Sequence, residues 1–200
     1  MNILKKKKEK SSLVRIPKDC LNLYGWESRS RAVGPGERFS IYTQGCPFKC
    51  PECFNPELHT LIEKNIIPID DLVNLIISTK NIEGLTIGGG EPLIQEETVT
   101  KLCRQIRDKS GLSIILYTGY TIDEIENSPV LKYIDVLIDG RFDVSKKIQN
   151  DLRGSSNQMI HCITERYSQN NLVPEADITF HLAPTGEMHI TGFPQKNFPF

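Results

Sequence analysis

The fold of this chain is decided by the stretch FSIYTQGCPFKCPEC, residues 39–53. Its first five residues alternate apolar and polar side chains and are rich in β-prone types, so they predict a strand over 39–43. The strand ends at Gly45, and the loop that follows carries Cys46, Cys50 and Cys53. Three cysteines therefore lie within one short loop at the end of a predicted strand.

Downstream of this loop, predicted strands and helices alternate. Strands are predicted over 85–87, 113–117 and 134–138, and helices over 70–79, 95–109 and 122–126. Such alternation is typical of βαβ units in a parallel sheet with right-handed crossovers. After residue 170 the pattern changes, and the segments 177–182 and 187–191 flank Pro184-Thr185-Gly186. That arrangement predicts an antiparallel β-hairpin at the sheet edge, so the predicted fold class is α/β with a C-terminal β-hairpin.

Composition describes an ordinary globular chain of one domain. It has 200 residues, 38% of them hydrophobic and 24% charged, with a formal net charge of −1. This balance indicates no nucleic-acid partner, and no apolar run approaches the roughly 20 residues that span a bilayer. The N-terminus lacks the apolar segment of a secretory signal. We therefore expect a cytoplasmic protein without a membrane partner, with residues 1–32 as a partly disordered extension and 33–200 as the core domain.

The three clustered cysteines favour a soft metal or an iron–sulfur cluster. A tetrahedral zinc site would recruit a fourth ligand such as His59. A four-cysteine ferredoxin-type site would need Cys20 or Cys103, and a redox pair would use Cys50 and Cys53. The spacing of three and then two residues differs from each of these patterns. It leaves one iron of a cubane without a protein ligand, and an open position is what catalytic metal sites generally require.

A second motif, Gly88-Gly89-Gly90-Glu91-Pro92-Leu93, follows the predicted strand over 85–87. Glycines there allow positive φ angles and a close approach of the backbone to a ligand. The carboxylate of Glu91 accepts hydrogen bonds only, which suits an ammonium group. A glycine-rich turn between strand and helix is the purely structural alternative.

The two motifs together resemble the signature of the radical S-adenosylmethionine (SAM) superfamily. The resemblance implies a 4Fe-4S cluster on Cys46, Cys50 and Cys53, whose unligated iron binds the amino and carboxylate groups of SAM. It implies that Gly89, Gly90 and Glu91 hold the amino-acid end of SAM. The fold that the resemblance implies is a partial (β/α) barrel, and the length of the chain, which is too short for eight βα units, agrees with it.

Further motifs are similar to those of small single-cluster activases, the family of the anaerobic ribonucleotide reductase activating protein. They are Gly34-Pro35-Gly36, Gln44-Gly45-Cys46, Cys53-Phe54-Asn55-Pro56, Tyr117-Thr118-Gly119-Tyr120, Asp139-Gly140-Arg141-Phe142 and Arg153-Gly154-Ser155-Ser156-Asn157-Gln158. This resemblance implies an oxidoreductase that cleaves SAM reductively to a 5′-deoxyadenosyl radical, which removes a hydrogen atom from a glycine of a partner enzyme. A flavodoxin- or ferredoxin-like protein would supply the electron.

Three more residues are candidates for cofactor contacts on the same resemblance. Phe54 follows the last cysteine and is expected to pack on the adenine or to shield the cluster. Thr118 and Asp139 stand at the ends of successive strands, where the sites of α/β proteins lie. Thr118 is expected to reach the ribose or the carboxylate of SAM, and Asp139 to bond the ribose hydroxyls or a substrate backbone. Arg153 and Asn157 are candidates for contact with the partner polypeptide or the SAM carboxylate, and a structural hydrogen-bond network is the alternative for both. No acid–base catalytic residue is predicted. The alternative function is a radical SAM enzyme that modifies a small molecule or a ribosomal peptide directly.

Overall fold

A computed structural model describes residues 16–176, 178–182 and 188–192. Most of its strands form one seven-stranded sheet. Those strands are β1 (Cys20–Ser30), β2 (Arg38–Thr43), β3 (Asn65–Pro68), β4 (Gly84–Gly89), β5 (Ser113–Tyr117), β6 (Val136–Asp139) and β7 (Met159–Cys162). Their order across the sheet is β3-β1-β2-β4-β5-β6-β7. Two more strands, β8 (Ile178–Leu182) and β9 (Met188–Gly192), pair as a separate antiparallel hairpin.

The centre of the sheet is parallel and its flanks are antiparallel. Strands β2, β4, β5 and β6 run in one direction, whereas β1 runs against both β2 and β3, and β7 runs against β6. The carboxyl ends of the four parallel strands therefore meet at one edge of the sheet. Side chains that follow these strands along the chain are brought together there.

Two α-helices cover one face of the sheet. They are α1 (Ile69–Ser78) and α2 (Glu96–Lys109). Each has an apolar stripe at helical spacing, with Val99, Leu102, Cys103 and Ile106 buried on α2. Acidic residues occupy the first turn of both helices, where the helix dipole favours negative charge. No helix in the described part of the chain is long and apolar enough to cross a membrane.

The central elements agree with the sequence-based prediction, and the differences lie at the edges. The segment predicted over 122–126 is a single turn of 3-10 helix, and the hairpin is a sheet of its own, whose turn at 184–186 lies outside the described residues. Residues 20–30 of the predicted N-terminal extension form β1, inside the main sheet. Its alternation is hidden in the sequence because Asn22 is buried and a bulge interrupts the register near Gly25.

The sheet has a different kind of interior on each face. Toward α1 and α2 it carries an apolar core that includes Phe39, Ile41, Leu85 and Ile87. On the opposite face a smaller cluster contains Ile115, Val136, Ile138 and Leu152 with Leu172. Parallel strands that are covered on both faces read as nearly continuous apolar runs, as the sequences of β5 and β6 do.

A buried guanidinium ties the amino ends of three parallel strands together. Arg38 is fully buried, and its Nε donates to Thr86 Oγ1 at 2.7 Å. Its two terminal nitrogens donate to Ser113 Oγ and to the carbonyl oxygen of Leu85, both at 2.9 Å. Burial lowers the pKa of Arg38, although arginine stays charged at any physiological pH. The charge is accommodated because several neutral acceptors surround it.

We predict that Arg38→Met lowers the free energy of unfolding by about 3 kcal/mol, because several buried acceptors lose their donor at once. Urea denaturation of the two proteins measures this difference. Arg104→Met, at an exposed position of α2, is the matched control and should change stability by less than about 0.5 kcal/mol. Equal effects of the two substitutions would contradict the structural role of Arg38.

Candidate functional site

One cavity opens at the edge where the four parallel strands end. Residues from the exits of β2, β4, β5 and β6 line it together. They include Cys46, Cys50 and Cys53, the glycines 88–90 with Glu91, and Thr118. The structure thus brings seven of the predicted site residues to one place, namely the three cysteines, Gly89, Gly90, Glu91 and Thr118.

The cysteine loop is shaped by two residues in the left-handed conformation. Lys49 and Glu52 have φ angles of 48° and 51°, a region that non-glycine residues seldom occupy. These reversals fold the loop so that its cysteines face one cavity. A backbone hydrogen bond from Cys53 N to Cys50 O, at 3.2 Å, closes the turn between the last two cysteines.

Backbone amides point at two of the sulfur atoms. Burial raises the pKa of the Cys46 thiol, and the N–H groups of Phe48 and Lys49 offset part of this effect. Burial likewise raises the pKa of Cys53, with the N–H of Asn55 acting against it. These donors favour the thiolate, which is the form that ligates metal. Hydrogen bonds to sulfur also tune the potential of iron–sulfur centres.

The zinc alternative requires three or four ligand side chains that converge on one point. Among residues 16–176, 178–182 and 188–192, no three Cys, His, Asp or Glu side chains converge as ligands of a single ion. A tetrahedral zinc would draw its sulfur ligands onto one centre, each about 2.3 Å from the metal. The thiolates of a cubane each bind a different iron, so they stand farther apart around a common cavity. The three cysteines of the loop line one such cavity together.

Glu91 is the electrostatic centre of the cavity beside the cysteines. Its carboxylate is fully buried and accepts three hydrogen bonds. Leu93 N and Thr118 Oγ1 donate to Oε1, both at 2.9 Å, and Gly119 N donates to Oε2 at 2.7 Å. Burial raises the pKa of Glu91, and the three donors work in the opposite direction. A buried carboxylate held in this way attracts a cationic group such as an ammonium.

The glycines beside Glu91 allow two chain segments to touch. Gly89 has a φ of 114°, and a Cβ there would collide with the backbone of Tyr42 and Thr43. A Cβ at Gly90 would collide with the carbonyl group of Gly45. Gly90 N donates to Thr43 O at 2.9 Å, and Glu91 N donates to Gly45 O at 2.8 Å. The missing side chains thus bring the glycine–glutamate turn against the start of the cysteine loop.

The structure gives three of the predicted cofactor contacts other hydrogen-bonding or packing partners within the protein. They are Thr118, Phe54 and Asp139. Thr118 faces the cavity, but its hydroxyl is bonded to Glu91, so its position is that of a support for the carboxylate. Phe54 does not line the cavity and packs against Phe142 with ring centroids 4.9 Å apart.

Asp139 is also outside the cavity lining. Its carboxylate is nearly buried and accepts hydrogen bonds from Ile122 N at 2.6 Å and Met159 N at 3.2 Å. These bonds tie the exit of β6 to the start of β7 and to the turn after β5. The placement gives Asp139 a structural function at the edge of the site.

Several lining residues were not predicted as cofactor contacts. Phe48, Asn55, Arg141 and Gln158 all face the cavity. The guanidinium of Arg141 lies over the ring of Phe48, with Cζ 4.6 Å from the ring centroid. The signal for these residues was present, because each belongs to a motif that the sequence singled out. Their orientation depends on loop geometry, which residue type alone does not reveal.

The motif Arg153–Gln158 acts as a clamp on the loop after β6. Gln158 Oε1 accepts from Gly154 N at 2.8 Å and from Ser155 N at 3.1 Å, and its Nε2 donates to Gly140 O at 2.8 Å. Asn157 Nδ2 donates to Arg141 O at 2.8 Å. Arg153 forms a bidentate pair with Asp151 within its own turn. The motif therefore fixes the segment 140–142 against the cavity.

Comparison with known proteins agrees with this geometry. The family model described as "4Fe-4S single cluster domain" matches residues 32–161. An anaerobic ribonucleoside-triphosphate reductase-activating protein of Enterobacteria phage T4 is 31% identical over 137 residues, which cover 66% of this chain and 88% of the phage protein.

Bacterial proteins with the same name show similar likeness. The one from Escherichia coli is 32% identical over 138 residues, covering 64% of this chain and 90% of its own length. The one from Haemophilus influenzae is 33% identical over 144 residues, covering 64% and 89%. The matched region contains the cysteine loop, the glycine–glutamate turn and the strands that carry them.

We predict that Thr118→Val raises the pKa of Glu91 further, because the carboxylate loses one of its three donors. Nuclear magnetic resonance of cluster-free protein labelled at glutamate Cδ follows the titration directly. Thr79→Val, which removes a hydroxyl bonded to Leu75 O far from the cavity, should leave the pKa of Glu91 unchanged. A titration midpoint that is the same in Thr118→Val and wild type would contradict the support role of Thr118.

The same shift has a stability consequence with a definite sign. The folded-state pKa of Glu91 is raised above its ordinary value of 4.5. Its contribution to the free energy of unfolding is therefore fully present below about pH 4.5 and is lost as the pH rises through the folded-state pKa. In Thr118→Val this loss should extend to higher pH than in the wild type, as measured by thermal unfolding across a pH series.

We also predict that Gln158→Leu loosens the loop after β6, because one substitution removes three hydrogen bonds of the clamp. Amide hydrogen exchange of residues 140–142 should become faster by about fivefold or more. Gln169→Leu is the matched control, since Gln169 makes only a long 3.4 Å bond to Ile160 O at the exposed surface. Unchanged exchange at 140–142 in Gln158→Leu would show that the clamp does not hold this loop.

Proposed function

This chain belongs to the 4Fe-4S single cluster domain family, and on that premise we propose that it is a radical SAM activase. It would bind a 4Fe-4S cluster on Cys46, Cys50 and Cys53, cleave SAM reductively and remove a hydrogen atom from a glycine of a partner enzyme. The observation that carries the proposal is that the three cysteines and the buried carboxylate of Glu91 line one cavity.

The cysteine loop suits a cluster with one open iron. Three thiols face the cavity, and backbone donors lie at two of them, which favours the deprotonated ligands. When bound and reduced, such a cluster supplies one electron to the sulfonium of SAM, whose C5′–S bond breaks to methionine and a 5′-deoxyadenosyl radical. Loading requires the thiols to release their protons, so cluster assembly should be favoured at higher pH.

Glu91 suits the amino-acid end of SAM. Its carboxylate is buried at the edge of the cavity and is held by Thr118, Gly119 and Leu93. The amino group of SAM beside it would donate a hydrogen bond to the carboxylate and would offset part of the cost of its burial. The rigid attachment of Glu91 to the cysteine loop through Gly45 O fixes the distance between the two halves of the site.

The relatives suggest the kind of partner. They bear the name of activating proteins for anaerobic ribonucleoside-triphosphate reductase. We propose a glycyl-radical-type enzyme as the substrate of this chain and a flavodoxin- or ferredoxin-like protein as its electron donor. The six cysteines are all free, which supports a reducing, cytoplasmic location. The strands and helices around the cavity are proposed to form a partial barrel whose mouth admits a protein segment.

The first test is anaerobic reconstitution with iron and sulfide, reduction with dithionite, and chromatography of 5′-deoxyadenosine after addition of SAM. We expect the wild type to form 5′-deoxyadenosine and Cys50→Ala to form none, because one iron of the cubane loses its ligand. Cys20→Ser is the control, since Cys20 lies in β1 outside the cavity lining, and it should retain the wild-type iron content and product yield. A loaded wild type that leaves SAM intact would contradict the proposal.

A second test addresses the partner. The reduced protein is mixed with SAM and an anaerobic ribonucleotide reductase from the same source, and the mixture is examined by electron paramagnetic resonance. A doublet from a glycyl radical is expected, and it should be absent with Cys50→Ala. Formation of 5′-deoxyadenosine without a glycyl signal would exclude this reductase as the partner while leaving the SAM chemistry in place.

A further inference from the structure

The side chain of His59 lines the cavity with an unused polar atom. Its Nε2 is shielded from solvent and makes no hydrogen bond to the described part of the chain. Buried polar atoms in native proteins nearly always have a partner, because an unsatisfied one costs the full penalty of desolvation. His59 therefore has a hydrogen-bonding capacity that the polypeptide itself does not use.

The backbone holds His59 in this position. It is the last residue of a short 3-10 helix, Pro56–His59, directly after the cysteine loop. Its carbonyl oxygen accepts from Cys46 N at 3.3 Å, and the carbonyl oxygen of Leu58 accepts from Gly45 N at 2.8 Å. The buried side chain of Leu58 anchors the same turn. These contacts attach the histidine to the first cysteine and leave the imidazole facing the cavity.

Other buried polar atoms without a partner are in different situations. Thr100 and His161 do not line the cavity, and His161 Nε2 lies 3.1 Å from the carboxylate of Asp139. Ser40 does line it, but its hydroxyl rotates freely and lies next to the hydroxyl of Tyr42. The imidazole of His59 is large and rigid, so its Nε2 cannot reach a nearby partner by a small rotation as the Ser40 hydroxyl can.

The surroundings indicate what His59 would bond. The residues that line the same cavity include three cysteines and Glu91, whose ionised side chains outnumber the cationic side chain of Arg141, so the loaded site would be rich in anionic acceptors. An imidazole N–H in such surroundings donates to an anionic acceptor. Ligand-supporting hydrogen bonds of this kind tune iron–sulfur centres and orient bound groups.

We infer that His59 is a positioning residue that donates a hydrogen bond from Nε2 to an anionic acceptor of the loaded site. That acceptor is either a sulfur atom of the cluster or the carboxylate of bound SAM. Both acceptors are anionic and would accept the same N–H. They are distinguished by whether substitution of His59 has an effect without SAM or only in its presence. This inference rests on the proposed function, and it assigns to His59 a use other than the zinc ligation that its position in the sequence suggests.

The experiment compares wild type, His59→Phe and His59→Gln, all reconstituted with the cluster, with Thr100→Val as the control. His59→Phe keeps a flat ring without a donor, whereas His59→Gln keeps an N–H near the position of Nε2. Two properties are measured on each reconstituted protein, and the melting temperature is measured on its cluster-free form. One is the midpoint potential of the cluster without SAM, and the other is the dissociation constant of S-adenosylhomocysteine, which carries the same amino-acid carboxylate.

If the acceptor is a cluster sulfur, His59→Phe shifts the potential to more negative values, because the reduced cluster loses a donor. If the acceptor is the SAM carboxylate, His59→Phe leaves the midpoint potential of the cluster unchanged and raises the dissociation constant of S-adenosylhomocysteine about tenfold or more. In either case His59→Gln should recover part of the change, and Thr100→Val should match the wild type. The melting temperature of cluster-free His59→Phe should be equal to or above that of the wild type, because an unsatisfied buried atom has been removed.

The inference is overturned if His59→Phe leaves both the potential and the dissociation constant unchanged. It is also overturned if both change only together with a lower melting temperature and without recovery in His59→Gln, which is the behaviour of a packing residue. A loaded wild type that does not bind S-adenosylhomocysteine at all would instead refute the proposed function, and the inference with it. Binding of S-adenosylhomocysteine to the wild type thus separates a failure of the inference about His59 from a failure of the proposed function.

Discussion

The exit of β4 lies against the exit of β2, and two backbone hydrogen bonds hold them together. Gly90 N donates to Thr43 O, and Glu91 N donates to Gly45 O. This contact requires glycines at 89 and 90, because any side chain there would collide with the neighbouring backbone. The cysteine loop begins at the same point of β2. The cysteine loop and the carboxylate are therefore fixed relative to each other by main-chain geometry, which is far stiffer than contact between side chains.

Several hydrogen-bond donors in the site stabilise negative charge on buried groups. Glu91 is held by three donors, and amides of the cysteine loop face two of the sulfurs. Their effects on pKa oppose that of burial, so the polypeptide partly prepares these groups for the charged state. The proposed SAM, whose sulfonium is a cation, would complete the balance, because an uncompensated buried charge is costly. The Arg153–Gln158 clamp fixes the loop that borders the cavity on the side of β6.

The sequence revealed those parts of the molecule that local chemistry dictates. The cysteine loop, the glycine–glutamate turn, the central strands and α2 could be predicted because periodicity and residue type define them. Strand β1 could not, because its alternation is broken by a buried Asn22 whose side chain bonds Ile62 O and Lys64 N across the fold. Asp139 and Phe54 follow strand and cysteine as expected, yet Asp139 accepts a hydrogen bond from Ile122 N and Phe54 packs against Phe142, and neither lines the cavity. Tertiary contacts of this kind leave no trace in local sequence.

The most direct test of the account is electron–nuclear double resonance of the reduced cluster in the presence of SAM labelled with 15N at its amino group. In the proposed complex the amino group of SAM would bind the open iron and would donate a hydrogen bond to Glu91, so a hyperfine coupling between the cluster spin and the 15N nucleus is predicted. The coupling should be lost in Cys50→Ala, which cannot hold the complete cubane. A fully loaded, reduced protein that shows no coupling to labelled SAM would contradict the central claim, because SAM would then not bind at the open iron.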